Sequence, residues 1–382
     1  MDRRHFLGLA ASVFAVPAAA SGTSGQHGED DFDTYIKGNL ARTHTPGLSV
    51  AIVRGSETLF IKGFGFADIA TNKPITADTA FDIASVSKTV TGTAMMMLFQ
   101  EGMYKLDDPI GPYLDFPVIH PKFPHVPITF RHLFTHTSAI SDAVEEENNW
   151  FMAPGDPTLP LRDFLRGYLS VGGRWYDPVK SYSGNKPGTV WSYSNIGVAL
   201  LGYLAGRVAP DPLDVMTRKR VFAPLGMRNT GWRYADLRPE NVATTYKIDS
   251  GKFVALPPMG YPDWPDGSLR TSGRDFAEFL KIYTGDGTVD GTSYLAPKTI
   301  ATMLTPDPVR VDDPAGHQAL IWQLLDQGNL RLAIHGGKDP GAASVAVIDM
   351  KNRLGALAFA NSRSGMPVFG TCLRLLEWAR GT

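Results

Sequence analysis

The chain has 382 residues, of which 43% are hydrophobic, enough to bury a sizeable core in two or three structural units. Lys and Arg total 37 against 38 Asp and Glu, so the formal net charge is −1 and no basic surplus exists to bind phosphate backbones. We therefore expect no nucleic-acid partner. The one cysteine, Cys372, excludes an intrachain disulfide framework and a CxxC-type metal or redox site.

The first 20 residues have the three parts of a secretory signal peptide. Arg3 and Arg4 precede a short apolar run over 6–16, and small residues at 18–20 provide a cleavage site. The arginine pair resembles a twin-arginine export signal, although Asp2 stands where Ser or Thr is usual. The run is too short for a membrane span, so we expect a bacterial periplasmic or secreted protein with a polar, flexible leader at 21–31.

Helix and strand patterns then follow in chain order. A short amphipathic helix is predicted over 32–43, followed by a hairpin of two strands at 48–53 and 58–64 and a proline-free helix at 87–100. Between 105 and 270, proline-rich loops separate short helices near 130–135, 161–169, 195–208 and 213–223. Helices at 275–283 and 297–304 precede strands at 319–325, 330–335, 342–349 and 354–360 and a last helix at 367–380.

Strands near both ends of the chain predict an α+β fold with one antiparallel sheet, flanked by the N- and C-terminal helices. Residues 32–104 and 271–382 would form this sheet domain. Residues 105–270 would be an inserted, mostly helical domain. A cleft between two such lobes is where a small-molecule site tends to form.

The chemically informative stretch is Ser85-Val86-Ser87-Lys88 at the start of the helix at 87–100. One helical turn places the serine hydroxyl and the lysine amine on the same face. A serine needs an adjacent base to become a nucleophile, and a lysine qualifies if its surroundings keep the amine neutral. A second copy of the pattern, Ser183 to Lys186, lies in a Gly/Pro-rich loop that fixes no geometry, so we reject it.

Two further motifs accompany this pair: Tyr193-Ser194-Asn195 before an apolar helix, and His335-Gly336-Gly337 in a strand-like run. With them the chain resembles the serine β-lactamase and penicillin-binding-protein superfamily, whose motifs are S-x-x-K, Y-x-N or S-x-N, and K-T-G. The segments at 132–140, 186–197 and 224–231 resemble its class C-like branch, which includes DD-peptidases, D-aminopeptidases and family VIII esterases. The resemblance implies the fold expected above and an acyl-enzyme mechanism without a metal or other cofactor.

The resemblance also implies a role for each motif residue. Ser85 would be the acylated nucleophile and Lys88 its activating partner. Tyr193 would pass the proton to the leaving group and later activate water, and whether it or Lys88 is the base stays open. Asn195 would hold the acyl side of the substrate. The backbone N–H groups of Ser85 and Lys338 would form the oxyanion hole.

His335 stands where β-lactamases have the lysine of K-T-G. A lysine gives a fixed positive charge for a β-lactam carboxylate, whereas histidine is mostly neutral at pH 7. Gly336 and Gly337 would let substrate approach the strand backbone. We therefore predict a serine hydrolase of small carboxyl esters or amides. The alternatives are a D-amino-acid peptidase or DD-carboxypeptidase, a β-lactamase, and a non-catalytic protein that binds cell-wall peptides.

His132 and His136 are four residues apart and could face a metal ion together. The segment lacks the glutamate of the H-E-x-x-H pattern. We therefore predict that both histidines have structural roles.

Overall fold

The computed structural model describes residues 26–148, 153–309, 311, 316–327, 330–363 and 365–381. The predicted signal peptide at 1–20 and the first five residues of the predicted leader lie outside this range. No helix within the described residues is both long enough and apolar enough to cross a membrane.

The strands are β1 Gly47–Arg54, β2 Glu57–Asp68, β3 Lys73–Pro74, β4 Ala80–Asp82, β5 Ala153–Pro154, β6 Thr245–Asp249, β7 Lys252–Leu256, β8 Met259–Gly260, β9 Arg270–Ser272, β10 Thr288–Val289, β11 Thr292–Ser293, β12 Gly316–Gln318, β13 Gln323–Gln327, β14 Leu330–Asp339, β15 Ala342–Asp349 and β16 Leu354–Ala360.

The α-helices are α1 Gln26–Thr43, α2 Ser87–Gln100, α3 Phe130–Phe134, α4 Ala143–Asn148, α5 Leu161–Leu169, α6 Asn195–Val208, α7 Leu213–Thr217, α8 Gly273–Thr284, α9 Pro297–Met303 and α10 Val368–Gly381. Single 3-10 turns occur at Ala84–Val86, Gly111–Tyr113, Tyr234–Asp236, Pro239–Asn241 and Trp264–Asp266, and a π-helical turn at Arg218–Phe222.

The centre of the fold is an eight-stranded sheet in the order β12-β13-β14-β15-β16-β1-β2-β3, with every neighbouring pair antiparallel. Because side chains alternate along a strand, β1 sends Val50 and Ile52 to one face and Ala51 and Val53 to the other. The first face packs on α1 and α10, and the second on α8. The predicted α+β fold, with terminal helices against an antiparallel sheet, is confirmed.

The second face of the sheet merges with the helical region into one hydrophobic core. The cluster that contains Ala346 and Phe359 of the sheet also contains Leu200 of α6 and Phe164 of α5. The region at 105–270 is not purely helical, because β6 pairs with β7 and β5 pairs with β8. At its C-terminal end, β9 pairs with β4, immediately before the turn that carries Ser85.

Two elements differ from the sequence prediction. Helix α1 begins at Gln26, so the second half of the predicted leader at 21–31 is helical; the stretch has no proline, and the buried Phe32 and Ile36 anchor the helix. The strand predicted at 319–325 is wrong in its first half. Ala319–Trp322 is a buried turn between β12 and β13, with the backbone of Ile321 in the left-handed region at φ 69°.

Candidate active site

Ser85 lies in the middle of the 3-10 turn Ala84–Val86, which continues directly into α2. The residue before it, Ala84, has φ 44°, a left-handed conformation that residues with a side chain seldom adopt. Asp82 Oδ1 accepts a hydrogen bond of 2.9 Å from the Ala84 N–H and so holds this turn. Strained backbone of this kind persists where the surroundings enforce it, and here it directs Ser85 out of the turn.

The Lys88 side chain is fully buried one turn after Ser85, and its ammonium group has four oxygen partners. Nζ donates to Ser85 Oγ at 3.0 Å and to Asn195 Oδ1 at 2.9 Å. It also donates to the backbone oxygen of Asp266 at 2.8 Å and to Asp266 Oδ2 at 2.9 Å. The structure therefore brings the predicted Ser85, Lys88 and Asn195 together, and it adds Asp266, which the motifs did not indicate.

Asp266 changes the ionisation of the amine. Burial lowers the pKa of Lys88, but the charge of Asp266, followed by the electrostatic interaction with Tyr193, outweighs burial and raises the pKa above its ordinary value. The carboxylate therefore favours the ammonium form of Lys88 at neutral pH. The carboxylate is fixed in place because the turn Trp264–Asp266 is docked on α2, where Thr91 Oγ1 donates to Pro265 O at 2.7 Å.

Tyr193 approaches the pair from the helical region and lies in contact with both. Its ring centroid is 5.0 Å from Lys88 Nζ. Burial raises the pKa of Tyr193, and the neighbouring ammonium, followed by polar interaction of the phenol with Ser85 and Lys88, partly opposes the rise. The phenol is therefore protonated at rest, next to a fixed positive charge that stabilises its ionised form.

Asp142 anchors the Tyr193-Ser194-Asn195 motif to the start of α6. Its carboxylate accepts from Ser194 Oγ at 3.0 Å, from the Asn195 N–H at 2.6 Å and from the Ile196 N–H at 3.2 Å. These are donors that a helix N-terminus leaves without intrahelical partners. Burial raises the pKa of Asp142 to about 6, although the same hydrogen bonds lower it.

The two predicted structural histidines have well-defined partners. His132 closes a capping box with Thr129 at the start of α3. His136 Nδ1 accepts a hydrogen bond from the Ser194 N–H at 3.2 Å, and its ring stacks on the Tyr193 ring with centroids 4.4 Å apart. Burial, followed by the charge of Lys88, holds the pKa of His136 well below its ordinary value, so the stacked ring is neutral.

Strand β14 passes directly beside the Ser85 turn. A Cβ added to Gly337 would lie 2.4 Å from Ile83 O, 2.4 Å from Ser344 Oγ and 3.0 Å from Ser85 N, so only glycine fits there. Ser344 Oγ on β15 donates to Ile83 O at 2.6 Å and ties the turn to the sheet. The backbone leading from Gly337 to Lys338 therefore runs alongside the Ser85 N–H, as a two-donor oxyanion hole requires.

His335 is buried and neutral. Its Nδ1 donates to Gly336 O at 3.0 Å, since a carbonyl oxygen can only accept, and the Nε2 lone pair has no hydrogen-bond partner among the described residues. Burial, followed by the charge of Lys88, lowers the pKa of His335 to about 3. The site therefore has a neutral hydrogen-bond acceptor at this position instead of a fixed cation.

The structure separates the rejected motif from this cluster. Ser183 and Lys186 lie in a loop with the lysine exposed.

The chemical roles of Ser85, Lys88, Tyr193, Asn195, His335, Gly336, Gly337 and Lys338 stay predictions. Sequence reasoning missed Asp142, Asp266 and Ser344, which hold the motif residues in place from loops and a neighbouring strand and have no fixed spacing to the motifs.

A serine and a lysine at the head of a helix, between an antiparallel sheet and a helical region that provides a tyrosine, define the β-lactamase and transpeptidase type of fold. The Beta-lactamase family profile matches residues 32–376. The chain belongs to this family, and the predicted resemblance to the serine β-lactamase and penicillin-binding-protein superfamily is confirmed.

Curated relatives match part of the chain. Protein flp of Staphylococcus aureus (strain MW2) is 26% identical over 261 residues, which are 66% of this chain and 48% of that protein. The putative penicillin-binding protein PbpX of Bacillus subtilis (strain 168) is 29% identical over 67% of this chain and 58% of its own length. The chain thus spans about half the length of the curated relatives it matches.

Solved structures share the fold over nearly the whole chain. The D-amino acid amidase of Ochrobactrum anthropi SV3, complexed with L-phenylalanine amide, superposes with a TM-score of 0.73 at 22% identity, covering 93% of this chain and 99% of that one. A class C β-lactamase from Rhodobacter sphaeroides superposes with a TM-score of 0.69 at 19% identity, covering 91% and 99%. At these identities the likeness shows the fold alone.

Proposed function

We propose that this protein is an exported serine hydrolase that cleaves small carboxyl esters or amides through an acyl-enzyme on Ser85. The observation that carries the proposal is the convergence on the Ser85 hydroxyl of a buried ammonium at 3.0 Å and a phenol from the helical region. A protein that only bound peptides would have no need of this arrangement. The export signal at 1–20 supports a periplasmic or secreted location.

We assign the base to Tyr193 because Lys88, paired with Asp266, has no free lone pair at neutral pH. In acylation, Ser85 Oγ forms a bond to the carbonyl carbon as its proton passes to the Tyr193 oxygen. The transfer starts from the phenolate, which forms when the Tyr193 phenol releases its proton to solvent and which the Lys88 ammonium stabilises. The bond to the leaving group then breaks, and the leaving group takes the proton from Tyr193.

The negative charge on the carbonyl oxygen would be held by the N–H groups of Ser85 and Lys338. Losing one such donor typically costs about 3–4 kcal/mol of transition-state stabilisation. In deacylation, water attacks the acyl carbon, gives its proton to Tyr193, and Ser85 leaves and recovers that proton. The same residues serve both half-reactions.

The neutral His335 favours substrates without a carboxylate next to the scissile bond. Its Nε2 lone pair accepts hydrogen bonds and provides no positive charge for the carboxylate of a β-lactam or of a C-terminal residue. Esters and amides therefore rank ahead of DD-peptides and β-lactams. The D-amino acid amidase with the same fold makes amides of D-amino acids the first amides to test.

The test compares wild type with Ser85→Ala on methyl butyrate, D-phenylalanine amide and nitrocefin. We expect wild type to hydrolyse the ester or the amide and Ser85→Ala to lose that activity. A fluorophosphonate should add to one peptide, the one that contains Ser85. Equal rates for the two proteins would contradict the proposal, and nitrocefin hydrolysis far above the others would overturn the substrate assignment. A folded wild type that binds peptides without turnover would favour the binding protein.

A further inference from the structure

We propose that Trp191, fixed by Gln318, closes the leaving-group end of the cleft and restricts the enzyme to substrates with small leaving groups, such as primary amides and methyl or ethyl esters. The inference rests on the proposed function and extends it to the specificity of the same site.

The cleft has a natural axis along β14. Strand β13 pairs with β14 only as far as Ile334, opposite Gln323. From His335 to Gly337, β14 pairs with β15 on one side and, within the described residues, with no strand on the other. This edge offers backbone donors and acceptors to an extended substrate. It begins where β13 ends.

Trp191 stands at the closed end of this axis. Its indole Nε1 donates to Gln318 Oε1 on β12 at 3.0 Å, and Gln318 pairs with Gln323, which pairs with Ile334. The indole is thus tied to the row of paired residues that crosses β12, β13 and β14 next to His335.

Trp191 and Tyr193 also lie against one shared side chain, that of His136. His136 contacts both rings: it stacks on Tyr193 and meets Trp191 edge-on, with centroids 6.4 Å apart.

The anchoring residue is rigid. Gln318 is buried, and its side-chain amide donates to Ala319 O at 2.9 Å and to Trp322 O at 3.3 Å while its oxygen accepts from Trp191. All of these groups lie in or against the turn Ala319–Trp322. A half-buried indole held in this way presents a fixed wall instead of an adjustable side chain.

The leaving group must lie at this end. It takes its proton from Tyr193, whose ring stacks on His136, and His136 meets Trp191 edge-on. A leaving group that extends past Tyr193 therefore meets the indole.

The experiment measures kcat/KM for methyl, butyl and benzyl butyrate, which share one acyl group and have leaving alcohols of similar reactivity. We expect wild type to prefer the methyl ester. Trp191→Ala should raise the benzyl-to-methyl ratio about tenfold or more, since pocket contacts of this size discriminate by such factors. Trp191→Phe keeps most of the ring and should retain the wild-type preference. Val190→Ala, on the exposed neighbour, is the matched control and should leave the ratio unchanged.

Thermal unfolding of each variant shows whether it is folded. A folded Trp191→Ala protein with the wild-type ratio would overturn the inference. If that variant fails to fold, Gln318→Ala, which frees the indole without removing it, should raise the ratio in the same direction, and an unchanged ratio there would overturn the inference equally. In either case, if Ser85→Ala loses all ester hydrolysis, the proposed function still stands. Failure of the inference about Trp191 can therefore be distinguished from failure of the proposed function.

Discussion

Replacing Asp266 with asparagine removes the negative charge beside Lys88 and leaves the shape of the side chain and the backbone hydrogen bond at 2.8 Å. At an effective dielectric constant of about 20, two unit charges 2.9 Å apart attract by about 6 kcal/mol. At 1.36 kcal/mol per pKa unit, that energy corresponds to about four units. Without it, burial lowers the pKa of Lys88 with only Tyr193 to oppose it, and the neutral fraction of the amine at pH 7 rises.

The two candidate bases then give opposite results. If Tyr193 is the base, losing the ammonium destabilises its phenolate, and we expect kcat/KM at pH 7 to fall about 100-fold, within the usual range for general-base catalysis. If Lys88 is the base, a neutral amine at pH 7 raises the rate and moves the profile to lower pH. The assay is the pH dependence of ester hydrolysis by both proteins. A rise in rate would refute our assignment.

The same change should destabilise the fold by about 3 kcal/mol at neutral pH, because it leaves a buried charge without its partner. Since the folded-state pKa of Lys88 is raised, the stabilisation by the ion pair is present at neutral pH and is lost only as the pH rises above about 10.5. Asp263→Asn is the matched control. Asp263 is also buried, and neither of its carboxylate oxygens has a hydrogen-bond partner within the described residues. Urea unfolding that destabilises both variants equally would contradict the argument.

Gly337→Ala should lower kcat about 100-fold, because a Cβ 2.4 Å from Ile83 O would displace β14 and misalign it with Ser85. A wild-type rate would show that the strand adjusts to the added Cβ. Asp142→Asn should remove an acidic limb of the kcat profile with an apparent pKa of about 6, since protonation of Asp142 removes an acceptor of the motif N–H groups. Because the pKa of Asp142 is raised in the folded protein, wild type should lose activity below about pH 6. Protonation of Asp142 does not destabilise the fold, and an unfolding measurement at pH 5 checks this. Tyr193→Phe should lower kcat about 100- to 10,000-fold; an active variant would transfer the base to Lys88.

The motif residues were predictable because the chemistry fixes their spacing within one element. Ser85 and Lys88 are one helical turn apart, and Gly337 must lack a side chain for β14 to pass the Ser85 turn. Their partners come from distant parts of the chain. Asp266 is 178 residues from Lys88, and Asp142 precedes Asn195 by 53 residues, so only the folded chain shows that they meet.

The turn Ala319–Trp322 shows a second limit of sequence reasoning. A short apolar run is as consistent with a buried turn as with a buried strand, and no glycine marks the left-handed residue, Ile321. Tertiary contacts hold this conformation, since the Ile321 N–H donates to Phe134 O at 2.9 Å and the Leu320 N–H donates to Met303 O at 3.1 Å. The ionisation state of Lys88 could not be predicted from the sequence either, because it depends on Asp266, which is distant in the chain.

The hydrophobic core runs without a break from the sheet residues Ala346 and Phe359 into Leu200 and Phe164 of the helical region. Swinging the two regions apart would expose that shared interior to water, at about 25 cal/mol for each Å² of apolar surface. Within the described residues, the two regions therefore share one interior instead of meeting at a hinge. In the proposed mechanism, each new substrate meets reactive groups that are already assembled.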